Sequence, residues 1–295
     1  MQFITPNIWC QGNAEEVADF YVATFPNAQR TGGSNYPTEG LLDFQQDFAG
    51  KALTVDLAID GYALTLINAG NEFRPTPAIS FIVNFDPSAM TDAAGALDAI
   101  WARLSDGGEV RMPLQEYPFS KRYGWVEDRY GVNWQLMLTN PEGEPRPFLI
   151  PSLLFTGAEL RAREAIERYT SLFRDSHLGN VLPYGEAGGA ELAEGIMFSE
   201  FTLGGQWFTA MDGGSDHEFT FGEGLSLSVA CADQAEIDRY WDALSHVPEA
   251  AVCGWCKDEF GVSWQIVPAN MEELMAKPGA YEKMMQMSKI EIDAF

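Results

Sequence analysis

The chain has 295 residues, 46% apolar and 13% aromatic, with a formal net charge of −25. Its length suits two domains, each able to bury its own core, and its composition is globular rather than disordered. The charge disfavours nucleic acid and anionic membrane, which need compensating Lys or Arg. There is also no basic leader and no apolar run of about twenty residues, so we expect no nucleic-acid partner, no membrane and a cytoplasmic protein.

Ile4 to Cys10 reads as a strand ended at Gly12, and Asn13 as the N-cap of a helix through Tyr21 that stops at Pro26. Leu53 to Ile59 and Tyr62 to Ile67 are β-rich runs joined by Asp60-Gly61, a hairpin signal. A strand over Ala78 to Phe85, a helix over Asp92 to Leu104 and a hairpin over Trp125 to Leu138 follow. Thr139 to Pro147 is rich in Pro, Gly and Glu and reads as a linker. The order then returns: a strand near Ser152 to Phe155, helix 158–172, hairpin 196–211, strand 224–231, helix 233–245 and hairpin 251–267. Met284, Met285 and Met287 form an apolar cluster that suits packing of a C-terminal helix.

That return is a duplication. Gly124 to Gln135 and Gly254 to Gln265 both read G-W-x-x-D-x-x-G-V-x-W-Q, and internal repetition decides architecture before local propensity does. Leu97 to Ser105 matches Ile237 to Ser245, Asp56 to Gly61 matches Glu200 to Gly205, and Tyr21 and Phe25 match Tyr169 and Phe173. Each copy reads as strand, helix and three strands, twice over. The expected division is a first domain over 1–140, a linker over 141–149 and a second domain with a helical tail over 150–295.

Four cysteines remain: Cys10, Cys231, Cys253 and Cys256. The pair Cys253 and Cys256 has a redox spacing, but its partner in the first copy is Tyr123-Gly124-Trp125-Val126. Residues three apart in a strand also point to opposite faces, so these read as core or surface thiols. No G-x-S-x-G, H-E-x-x-H or G-x-x-x-x-G-K-[ST] motif appears. Gly185 to Gly189 precedes a strand rather than opening a helix, which gives no support to a nucleotide or methyl-donor site.

Four βαβββ modules resemble the vicinal oxygen chelate superfamily of glyoxalases, bleomycin-resistance proteins and extradiol dioxygenases. The details look most like its PhnB-like branch, whose domain carries the label 3-demethylubiquinone-9 3-methyltransferase. The residues that carry the resemblance are Tyr184-Gly185-Glu186, Phe201 to Gln206, Phe208 to Gly214, Cys253 to Gln265, and, in the first copy, Gly12, Ala14 to Glu16, Phe20-Tyr21 and Phe25-Pro26. The first copy looks to have lost the Tyr-Gly-Glu and Asp-Gly-Gly elements. The implied fold is α+β: two tandem domains, each of two βαβββ modules forming an open barrel-like sheet with helices outside. By the same resemblance the domains pair within the chain as a pseudo-dimer.

Metal-dependent members of the superfamily hold a divalent ion with four His or Glu side chains from cavity-facing strands. The resemblance places these near Pro6, Leu64, Ala78 and Gln135, and near Pro151, Phe208, Gly224 and Gln265. Within two residues of these positions there is no His, and Glu223 is the one carboxylate. No metal and no cofactor are therefore expected. Gln135 and Gln265 stand in the place of the last ligand. Gln keeps a carbonyl acceptor and adds two donors, so each either satisfies a barrel backbone group or bonds a ligand.

Strand alternation puts Asn133 on the face of Gln135, with Trp134 opposite; Trp125 and Trp255 are open to either face. The candidate ligand contacts are Gln265, Ser263, Ser226, Ser228, Asp212, Phe208, Trp255, Gln135, Cys10 and Asn68. Asp212, before Gly213-Gly214, is equally explained by turn chemistry. The expected function is binding of a small organic molecule without metal; the alternative is a superfamily enzyme, a lyase, isomerase or dioxygenase-like protein with a non-standard or single active site. The second copy keeps more of the resemblance, so Gln265 is favoured over Gln135.

Overall fold

The computed structural model describes residues 2–295. The first copy contains β1 (Ile4–Gln11), α1 (Ala14–Thr24), β2 (Ala28–Asn35), β3 (Ala52–Ile59), β4 (Tyr62–Ala69), β5 (Ile79–Phe85), α2 (Ala93–Leu104), β6 (Glu109–Tyr117), β7 (Ser120–Glu127) and β8 (Asn133–Leu138). The second contains β9 (Leu149–Thr156), α3 (Ala162–Leu172), β10 (His177–Pro183), a one-turn α4 (Gly189–Leu192), β11 (Ile196–Leu203), β12 (Gln206–Gly214), β13 (Leu225–Cys231), α5 (Gln234–Leu244), β14 (Trp255–Lys257) and β15 (Ser263–Pro268). Two short helices, α6 (Met271–Met275) and α7 (Ala280–Met285), follow.

The α+β class and the tandem βαβββ order are those of the sequence, but the modules share sheets across the copies. One sheet runs β14-β15-β13-β1-β4-β3-β2 and the other β10-β11-β12-β9-β5-β8-β7-β6. The first module thus joins the fourth, and the second joins the third. The joints are antiparallel pairings of first strands: β1 on β13, with Asn7 opposite Ser226, and β5 on β9, with Ser80 opposite Ser152. Hydropathy fixes which face of a strand is buried, whereas partner choice at a free strand edge uses backbone groups that every residue carries.

The outer strands β2, β6 and β10 escaped the periodicity reading. β2 is Ala-Gln-Arg-Thr-Gly-Gly-Ser-Asn, exposed along nearly its whole length, so no apolar alternation marks it. The matching stretch of the fourth module, around Pro248, is a single 3-10 turn, which leaves that sheet one strand short.

Each sheet carries helices on one face. Ile4 and Ile8 of β1 and Leu64 and Leu66 of β4 belong to a buried cluster with Val17, Ala18 and Tyr21 of α1. The repeated motif builds the corner of this core. Asp128 is buried and accepts four hydrogen bonds: from Tyr21 Oη (2.7 Å) and Trp134 Nε1 (2.9 Å) on one oxygen, and from the Tyr130 and Val132 amides on the other. Asp258 repeats this with Tyr169, Trp264, Phe260 and Val262. Burial raises both carboxyls above their ordinary range, and the four donors pull them back down. The same contact pushes the Tyr21 and Tyr169 hydroxyls well up, burial first and the carboxylate second. The glycine of the motif is steric: a Cβ on Gly124 would lie 2.5 Å from the Trp101 ring. Asp, Tyr and the second Trp of the motif therefore recur because one corner is built twice.

Candidate functional site

The helix-free face of each sheet is the place to look for chemistry, because its side chains are not committed to the helical core. In β1 that face carries Thr5, Asn7 and Trp9; in β13, Ser226 and Ser228; in β15, Ser263 and Gln265; in β14, Trp255 and Lys257. Thr5, Ser228, Gln265 and Trp255 form one cross-strand row. Asp56, Thr65, Asn7 and Ser226 form the next.

The curvature of this sheet follows from two rings. Trp9 and Trp255 lie three strands apart, about 14 Å along a flat sheet, yet their ring centroids are 6.2 Å apart, edge to face. The sheet curls into a trough and the indoles meet across it. Phe73 packs against Trp9 at 4.9 Å, and Trp9 Nε1 donates to the Gly70 carbonyl.

The C-terminal segment crosses the same side. Leu274, Ala280 and Tyr281 are buried but lie outside the helical core. The Tyr281 ring meets Tyr36, just past β2, at 6.4 Å, while the Cys253 and Gly254 amides, next to β14, donate to the Met287 and Ser288 carbonyls. Residues 281–288 therefore link the two edges of the sheet, with Met284 and Met287 packed against the core. The chain then turns to the helical side, where Gln234 of α5 holds Ile290 and Ile292.

The two glutamines sit at matched places in opposite circumstances. Each donates Nε2 to a serine, Gln135 to Ser80 at 2.8 Å and Gln265 to Ser226 at 2.9 Å. Gln135 also accepts from Tyr123 Oη at 2.6 Å and is buried. The residue matching Tyr123 is Cys253, whose backbone is left-handed (φ 53°) and which bonds the tail instead. Among the described residues the Gln265 carbonyl has no partner, and its side chain is half-buried. The floor of the eight-stranded sheet is otherwise closed on itself. Trp125 Nε1 donates to Asn133 Oδ1, Asn133 donates to Glu127, and Arg146 covers Glu200. Two neighbouring hydroxyls there, Ser152 Oγ and Thr209 Oγ1, are buried without a partner.

Of the ten candidates, Gln265, Ser263, Ser226, Ser228 and Trp255 share the trough of the seven-stranded sheet, and Gln135 lies in that of the other. Cys10 and Phe208 are turned the opposite way. Cys10 follows Ile4 and Ile8 into the helical core, where burial pushes its thiol up to about 12. Phe208 is fully buried against Phe201. Both corrections have one cause: alternation is strict, so an alignment off by one residue selects the wrong face.

Asp212 and Asn68 hold the starts of helices. Asp212 Oδ1 accepts from the Ala162 amide at the start of α3, and Asn68 Oδ1 from the Ala14 amide at the start of α1. Asp212 also accepts from the Ile196 amide; burial raises its carboxyl, and the two amides oppose that. Tyr36 Oη donates to the Asn68 carbonyl as Tyr184 Oη does to that of Asp212. The first copy has therefore kept the tyrosine that its sequence seemed to lack, in a different local context. Sequence reasoning missed Trp9, Asn7, Thr65 and Asp56, because the first copy's strands were assigned to another sheet.

A cavity of about 420 Å3 lies between the end of β1, where Trp9 lines it, and the turn at Asp128 to Gly131. Its matched counterpart, about 280 Å3, lies beside Phe155 and Phe260. Both sit at the seam between modules, and the Asp128 that lines the first already has its four partners. Among the described residues no three His, Cys, Asp or Glu side chains are grouped to hold a metal ion.

Curled sheets of paired βαβββ modules, with helices outside and the two copies joined through their first strands, make a tandem pseudo-dimer of the kind the sequence resemblance implied. The family model described as 3-demethylubiquinone-9 3-methyltransferase matches residues 2–137 and again residues 147–267, and the chain belongs to that family. The PhnB protein of Bacillus cereus is 30% identical over 47% of this chain and 100% of its own length, with a TM-score of 0.40. Protein PA1353 of Pseudomonas aeruginosa is 23% identical over 47% of this chain and 98% of its own, with a TM-score of 0.34. Glyoxalase I of Zea mays has the same fold over 92% of this chain and 95% of its own, at 11% identity and a TM-score of 0.54. No curated protein matches. No helix among the described residues is long and apolar enough to cross a membrane.

Proposed function

We propose that the protein binds a small organic molecule in the trough of the seven-stranded sheet, without a resident metal ion. The observation that carries this is the Gln265 carbonyl, left without a partner beneath Trp255 in a row with Ser228 and Thr5. In the other trough the matching carbonyl is taken by Tyr123. A pocket of aromatic walls with a few convergent polar groups is the usual form of a small-molecule site, and the segment over 281–288 links the edges of its sheet. The donor set suits hydrogen bonding: amides and hydroxyls line the floor, and Lys257 is paired with Glu223 at 2.6 Å. The four thiols, none in a disulfide, suit a reducing, cytoplasmic compartment.

The test is a thermal-shift screen of a chemically diverse library against the full chain, repeated with Gln265→Leu and Trp255→Ala. Compounds that stabilise the native protein should lose most of their effect in both variants. Hits that act equally on all three proteins would refute the assignment, as would a divalent ion found in stoichiometric amount after purification without added metal.

A further inference from the structure

The trough of the eight-stranded sheet already holds a cation. Arg146, from the segment between β8 and β9, lays its guanidinium on Glu200, Nε to Oε1 at 2.6 Å and Nη2 to Oε2 at 2.9 Å. Its other face lies 4.7 Å from the centre of the Trp207 ring. Glu200 and Trp207 are on the helix-free face, and Arg146 and Glu200 are mostly buried, with side chains 16% and 11% exposed. A bidentate pair roofed by an indole is a strong guanidinium site.

The duplication places Asp56 where Glu200 stands, and Ala63 where Trp207 stands. The register is the same in both sheets: Glu200 faces Thr209 and then Ser152, and Asp56 faces Thr65 and then Asn7. Asp56 is half-buried and accepts one hydrogen bond, from Thr65 Oγ1 at 2.8 Å; among the described residues no Lys or Arg pairs with it. Alanine at 63 supplies no aromatic ring of its own. The aromatic surface comes instead from Trp9 and Trp255.

Resting on the binding function proposed above, we infer that the ligand of the seven-stranded trough is an organic cation: an ammonium or guanidinium on Asp56, carried by an apolar, flat body that reaches Trp9 and Trp255. Asp56 lies two strands from the strand of Trp9, about 10 Å along a flat sheet and less across the curl, a span within reach of an arylalkylamine. The net charge of −25 also draws cations toward the molecule and repels anions.

Three probes of equal shape decide the matter by calorimetry: 3-phenylpropylamine, 3-phenylpropanol and 3-phenylpropionate, each titrated into the full chain. The amine should bind, the alcohol should bind about tenfold more weakly or worse, and the acid should not bind, since a charge-assisted hydrogen bond is worth about a factor of ten or more. Asp56→Asn should reduce amine binding to the level of the alcohol, and Asp56→Glu should restore part of it. Arg146→Ala should open the second trough and raise the amine stoichiometry from one to two, with Glu200→Gln returning it to one. Equal binding of amine and alcohol, preference for the acid, or indifference to Asp56→Asn would overturn the inference. Preference for the alcohol or the acid over the amine, lost in Gln265→Leu, would do so while leaving the binding function intact. No binding by any probe would overturn the inference as well, and the library screen then decides the binding function separately.

Discussion

Replacing each glutamine of the repeated motif by leucine separates a structural residue from a binding one. In Gln135→Leu the hydroxyls of Tyr123 and Ser80 both lose their partner at buried positions. An unmet buried polar group costs about 1–3 kcal/mol, and leucine recovers part of this through apolar burial, so the net loss is roughly 2–4 kcal/mol. At about 2–4 °C per kcal/mol for a domain of this size, the melting temperature should fall by roughly 4–16 °C. Gln265→Leu breaks one bond, to Ser226, from a half-buried side chain. Its cost should be about 1 kcal/mol. Ligand affinity should show the reverse order. The Gln265 carbonyl is free to meet a ligand, and losing that bond should weaken binding about five- to a hundredfold, whereas Gln135→Leu should leave affinity within about twofold. Differential scanning calorimetry and titration of the screened ligand measure the two quantities on the same preparations. A larger stability loss for Gln265→Leu, or equal loss of affinity in both variants, would refute the reasoning.

Asp128→Asn keeps an acceptor for two backbone amides but turns an amide N–H toward Trp134 Nε1–H, and should cost about 1–3 kcal/mol in denaturant unfolding. The carboxyl of Asp128 is raised on folding, so its contribution is fully present below its unfolded value, near pH 4, and is lost as the pH rises through the folded value. The gap between native protein and Asp128→Asn should therefore be widest in acid and narrow toward neutral pH; a gap that widens with pH would mean that burial does not dominate at this site. Gly124→Ala puts a methyl 2.5 Å from the Trp101 ring and 3.0 Å from Leu114 Cα, and should cost about 1–3 kcal/mol by overpacking; a neutral result would show that Trp101 moves freely.

Much of this molecule was legible before its structure. The doubled G-W-x-x-D-x-x-G-V-x-W-Q motif gave two equivalent halves, and strand and helix periodicity gave the module order, because burial of one face leaves a mark on every second or every third to fourth residue. The role of the motif was not legible. Asp128 and Tyr21 are far apart in sequence and meet at one hydrogen bond, and nothing local in either marks the other as its partner. The polar edge strand β2 was silent for the same reason, since an exposed ladder imposes no apolar alternation.

The sequence by itself therefore determined the duplication, the α+β class, the helical core and the place of Gln135 and Gln265 on their strands. Tertiary structure decided which strands lie side by side, and with that the composition of the site. Joining β1 to β13 brought Asn7, Trp9, Thr65 and Asp56 of the first copy to Gln265 and Trp255 of the second. It also set Arg146 on Glu200 in one trough and left Asp56 without such a partner in the other. Backbone edges carry no sequence code for their neighbours; the pairing is chosen by the collapse of the whole chain, and only then do side chains from distant segments share a cavity.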